Sequence, residues 1–136
     1  MLRGRVRLAC LAEQAKHHSG FDKEWNRAVI RELAARIDPT ACDAFFYSAV
    51  GPAFTPLKYS IDAMWAALAS GVPTINGFTS FRPDGWLLST CTVVSADDDE
   101  RLRADLARWV ERSRLDPERV CSIRLRSRVR VPRDPG

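Results

Sequence analysis

Tyr59 to Trp86 reads YSIDAMWAALASGVPTINGFTSFRPDGW, and the organisation of the whole chain turns on this stretch. Ile61, Met64, Trp65, Leu68 and Ala69 recur at helical spacing, which predicts a helix with Trp65 in the core. Gly71 suits the left-handed residue at a helix end, and the Val-Pro-Thr-Ile after it reads as a buried strand. A loop of polar and aromatic residues then closes on Asp84-Gly85-Trp86. Open α/β folds place their sites in loops that leave the carboxyl ends of strands. The loop from Asn76 to Trp86 is therefore the leading candidate site.

Upstream, Asp22 can cap a helix whose apolar stripe is Trp25, Val29, Ile30, Leu33 and Ile37, and Asp38 before Pro39 should end it. Ala44 to Ala49 is a short aromatic and small-residue run between turn signals, so it reads as a buried strand. Downstream, Leu87 to Ser95 favours a strand, and Asp97, Asp98 and Asp99 open a helix buried through Leu102, Leu106, Trp109 and Val110. Asp116-Pro117 ends that helix. Val120 to Val131 then alternates, with Cys121, Ile123, Leu125, Val129 and Val131 on one face and Ser122, Arg124, Arg126, Arg128 and Arg130 on the other. The order predicts a small layered α/β domain over residues 21–131, with a mostly parallel sheet of about four strands flanked by about three helices. Residues 1–20 read as a strand stub or loop, and residues 132–136 as a disordered tail.

The 136 residues fit one domain, and a 46% hydrophobic, 28% charged composition excludes wholesale disorder. The net charge of +4 comes from 21 basic and 17 acidic residues, with Lys only at 16, 23 and 58. No window reaches the roughly 18 to 20 apolar residues of a membrane span, and Leu8 to Ala12 is too short for a signal peptide. As a free chain it reads as cytoplasmic. The cysteines at 10, 42, 91 and 121 match no zinc spacing and read as small buried hydrophobes. Cys42 and Cys121 open two predicted strands, so a bridge is geometrically open to them if those strands are neighbours in an oxidising compartment.

Single residues carry a sharp and a plain reading. Asp62 is placed to accept hydrogen bonds from a sugar or to act as a base; the plain reading is a carboxylate stabilised near a helix N-terminus. Asn76 with Gly77 suits a ligand hydroxyl or an ordinary turn, and Thr79 belongs to the same loop. Arg82 can pair a phosphate or remain solvated, and Trp86 can stack on a sugar or anchor the loop. His17-His18 do not share a face, Asp97 to Glu100 lacks the alternation of a calcium loop, and Ser48 lacks a glycine-flanked elbow. No metal or cofactor is expected. The arginine row from 124 to 130 fits either a phosphate backbone or an edge strand charged against mispairing.

Two resemblances attach to these residues. ACDAFFYSAVG, a loop and then IDAMWAALASGVPTINGF resembles the donor-binding half of GT-B glycosyltransferases, with Asp62 near that family's ribose-binding acidic residue and Ala69 to Pro73 at its turn. More broadly, Asp62-Ala63-Met64-Trp65, Pro73 to Gly77, Pro83, Gly85-Trp86 and Leu115-Asp116-Pro117 before a Cys-x-Ile strand resemble the soluble C-terminal domain of bacterial multi-pass membrane proteins that look like GT-C glycosyltransferases. That family tends to carry Asn-Gly-Tyr-Ser-Gly and Pro-Pro-Gly-Trp, where this chain has Phe78, Thr79, Ser80 and Asp84. The resemblance implies a carbohydrate or sugar-phosphate binding domain, accessory or a fragment, with glycosyltransferase-type chemistry if it is enzymatic. It implies association with a membrane protein, and an extracytoplasmic location within a longer chain. The rival is a phosphate or nucleic-acid binding module acting through the arginine strand.

Overall fold

The computed structural model describes residues 22–51, 56–77 and 82–127 of the chain. The expectations for the N-terminal stub, the tail, Cys10, His17, His18, Thr79, Arg128 and Arg130 lie outside the described residues. Helix α1, Lys23–Ala35, is capped by Asp22, whose carboxylate accepts the Trp25 amide at 3.1 Å. Asp38 then accepts both the amide and the hydroxyl of Thr40 (2.9 and 2.7 Å), which turns the chain where the Asp-Pro pair predicted a stop. These bonds hold the Asp38 carboxyl below its ordinary pKa.

Strand β1, Ala44–Val50, is buried along nearly its whole length, as the central strand of a parallel sheet must be. It lies between β2, Thr92–Val93, and β3, Val120–Arg126, and pairs in parallel with both. The register with β3 runs from Ala44↔Val120 to Val50↔Arg126. A Cys42–Cys121 disulfide, with Cα atoms 5.7 Å apart, and an Arg119–Asp43 ion pair at 2.6 Å fasten the starts of these two strands. Cys91 is a buried thiol, and burial pushes its pKa up.

Helix α2 runs from Pro56 to Ser70, so it begins earlier than Tyr59, with proline at a first-turn position where its missing N–H costs nothing. Gly71, at φ +76°, terminates it as expected. Helix α3, Ala96–Arg112, starts with a reciprocal capping box between Ser95 and Asp98. A short 3-10 turn, Pro117–Arg119, leads into β3. The Tyr59 ring of α2 meets Tyr47 of β1 edge-on, at 6.1 Å between centroids, while Arg124 of β3 pairs with Asp99 of α3. Helices α1 and α2, which pack on each other, thus cover one face of the sheet and α3 the other.

Two expectations are corrected. Among the described residues the sheet has three strands, not about four: residues 72–75 make a single bridge, Phe45↔Thr74, and of Leu87 to Ser95 only Thr92–Val93 is strand. Both segments lie along the same edge of β1, one behind the other. Phe45 N–H donates to the Pro73 carbonyl (3.0 Å), Ala49 N–H to Cys91 (2.9 Å) and Gly51 N–H to Val93 (2.9 Å). Second, the expected core face of α2 points outward, and Trp65 is 54% exposed. Tyr59, Asp62, Ala63 and Ala66 face the sheet instead. The helix is apolar nearly all round, and its alanines allow the close approach that the bulky stripe would prevent.

Candidate functional site

The set Asp62, Asn76, Gly77, Arg82 and Trp86 is divided between two places. Asn76, Gly77, Arg82 and Trp86 line a largely apolar cleft of about 480 Å³ with Trp109 and Leu115. Gly85, at φ +77°, shapes the turn that sets Trp86 there, closed by a Trp86 N–H to Pro83 carbonyl bond of 3.1 Å.

Within the cleft, Asn76 is committed to the fold. Its Oδ1 accepts the Tyr47 amide at 2.7 Å and its Nδ2 donates to the Tyr47 carbonyl at 2.9 Å, so the carboxamide supplies the rung that the interrupted edge of β1 lacks. Thr74 Oγ1 donates to the same Oδ1 at 3.1 Å. A primary amide has the donor–acceptor geometry of a peptide group, which is why an asparagine can continue a ladder through its side chain. These bonds occupy the oxygen and one amide proton that the sequence left open for a ligand hydroxyl.

Asp62 lies elsewhere, on the inner face of α2, in a cavity of about 510 Å³ bounded by α1, α2 and the end of β3. It is 1% exposed. Its Oδ2 accepts Lys58 Nζ at 2.6 Å across one helical turn, whereas Oδ1 is buried with no hydrogen-bond partner among the described residues. Burial raises the Asp62 pKa, and the Lys58 ammonium opposes that rise without cancelling it. The same burial and the Asp62 charge push the Tyr47 phenol well above its ordinary range.

Arg36 and Lys58 bring basic side chains to the cavity and Glu32 and Asp62 acidic ones, whereas Arg124 and Arg126 border it from a strand whose alternation turns their side chains toward the α3 face. Arg36 is oriented by Glu32 (3.3 Å) and the Arg124 carbonyl (3.5 Å), and Arg124 by Asp99. Tyr59 bonds Ser127 at 2.8 Å through the hydroxyls, closing one wall. The arrangement offers a buried acceptor at the floor, a demand for one donor, and the Arg36 guanidinium in the lining.

The chain matches no family model, no curated protein and no solved structure with which it was compared. The site therefore rests on geometry alone. Lys58 was visible in the sequence as the i−4 neighbour of Asp62, a helical ion-pair spacing. Arg36 carried no such signal, because only the packing of α1 beside β3 brings it to the cavity. Among the described residues no cluster of three or more potential ligands could hold a metal ion, and no helix is long and apolar enough to cross a membrane.

Proposed function

We propose that the Asp62 cavity binds a small phosphorylated sugar or polyol. One observation carries the reading: Asp62 Oδ1 is buried with no hydrogen-bond partner among the described residues, in a cavity that Arg36 also lines. A buried carboxylate oxygen without a donor costs roughly 1–3 kcal/mol, and a ligand hydroxyl would relieve that cost. A guanidinium such as that of Arg36 suits a phosphate through forked hydrogen bonds, and the cavity volume suits a hexose phosphate. The reading joins the acidic residue of α2 with Arg36 of α1. It agrees with the resemblance of the central stretch to glycosyltransferase-like proteins, whose donors and acceptors are phosphorylated sugars. With no paired nucleophile and base at the cavity, the role fits binding within a larger machinery better than an independent reaction.

Nucleic-acid binding is the weaker reading. Arg124 is engaged with Asp99, which leaves Arg126 as the exposed arginine of the described part of β3. Thermal-shift titrations with glucose 1-phosphate, glucose, inorganic phosphate and a short oligonucleotide test the proposal. Binding to the native state should raise the midpoint with glucose 1-phosphate more than with either half alone. A rise only with the oligonucleotide, fading in salt, would favour the arginine strand instead.

A further inference from the structure

We propose that the outward face of α2 docks this domain onto an anionic lipid bilayer, independently of the cavity beneath the same helix. Leu57, Ile61, Met64, Trp65 and Leu68 fall on one face of the helix and are 37–77% exposed, Leu68 the most. From Leu57 to Leu68 the strip runs about 16 Å along the helix axis. A contiguous exposed strip of large apolar residues marks an interaction surface, since water gains nothing from contact with it. The single carboxylate of α2, Asp62, is on the buried face, so nothing acidic interrupts the strip on its own helix.

The border of the strip identifies the occupant. On one side Arg27 and Arg31 of α1, with Ile30 between them, share a shallow groove with Trp65 and Leu68. On the other side Arg82 shares a pocket with Leu57. Arg27 is paired with Glu24 at 3.1 Å, but both side chains are largely exposed and such pairs are weak. An apolar helix face with tryptophan at its middle and arginines on both flanks has the composition of an interfacial helix, which sinks its apolar side below the headgroups and sets its cations among lipid phosphates. A net charge of +4 adds to the attraction. An isologous pair of chains through this strip would instead repeat the same cationic border on both sides, placing like charges at the rim.

The test is co-sedimentation of the purified chain with phosphatidylglycerol vesicles and with phosphatidylcholine vesicles, at low and high salt. The chain should pellet with phosphatidylglycerol, about tenfold or more weaker with phosphatidylcholine, and less at high salt. Leu68→Asp should abolish pelleting, and the double substitution Arg31→Glu with Arg82→Glu should weaken it. All these positions are exposed, so the thermal midpoint should stay unchanged, and glucose 1-phosphate binding should survive in Leu68→Asp. Failure to pellet with phosphatidylglycerol would overturn the proposal. So would a concentration-dependent dimer that Leu68→Asp dissolves while leaving any vesicle binding intact, because the strip would then belong to a second copy.

Discussion

Asn76 and Asp62 are both buried polar side chains, and Tyr47 stands between them: Asn76 binds its backbone, while its ring lines the cavity that holds Asp62. The two differ in how much of their hydrogen-bonding capacity the protein uses. Asn76 spends its oxygen and one amide proton on the backbone N–H and C=O of one residue, and in doing so completes the edge of the central strand. Asp62 has one oxygen on Lys58 and the other on no donor among the described residues. A buried polar group whose capacity goes to the backbone of a neighbouring strand holds the fold, whereas a half-satisfied one is the exception that calls for an explanation. Residue type alone does not separate these roles.

The sharpest way to break the comparison is Asn76→Asp. It replaces the donor to the Tyr47 carbonyl with a second acceptor and should cost about 4 kcal/mol in chemical denaturation, from two disrupted groups at roughly 1–3 kcal/mol each. A loss below about 1 kcal/mol would show that the side-chain rung does not hold the edge of β1.

Next in size is Lys58→Met, which leaves the Asp62 carboxylate buried and unpaired, with an expected loss of about 3 kcal/mol near neutral pH. The sign follows from the raised Asp62 pKa, which removal of Lys58 lifts further. The folded state then holds the proton to higher pH than the unfolded chain, so stability is highest in acid and falls as pH rises from the ordinary carboxylate pKa of about 4 through the folded value. Denaturation of the variant across that window should show most of the loss disappearing in acid. A pH-independent loss would mean that Lys58 contributes packing rather than charge.

The smallest effect on stability, and the one that sharpens the contrast most, is Asp62→Asn. It should change stability by less than about 1 kcal/mol, because the neutral amide avoids the cost of burying charge while the released Lys58, 17% exposed, can reach water.

Much of the frame was legible because it is written in short-range signals. Asp22 is a cap, Asp97 to Asp99 mark a helix start, Asp38-Pro39 and Asp116-Pro117 are stops, and Gly71 is a terminator, each acting within a turn of where it stands. The alternation of Cys121, Ile123 and Leu125 gave β3, and the placement of Cys42 and Cys121 at two strand starts left open the disulfide that the structure contains. What failed depended on distant partners. The inward face of α2 is chosen by what fits over Tyr47, and a helix apolar on both sides gives periodicity no preference. Val72 to Ile75 and Leu87 to Ser95 each have strand composition, but they compete for one edge of β1, and Asn76 fills the gap between them. The cavity draws Arg36, Lys58 and Leu125 from three separate elements, so no local pattern could announce it.

The most direct measurement is a calorimetric titration of glucose 1-phosphate into the wild-type chain, Asp62→Asn and Trp86→Ala. Loss of a hydrogen bond to a charged acceptor is worth roughly 1.5–3 kcal/mol, so Asp62→Asn should weaken binding about tenfold or more while melting at an unchanged temperature, and Trp86→Ala should bind as the wild type does. Binding that survives Asp62→Asn but disappears with Trp86→Ala would contradict the account and move the site to the cleft beside Asn76.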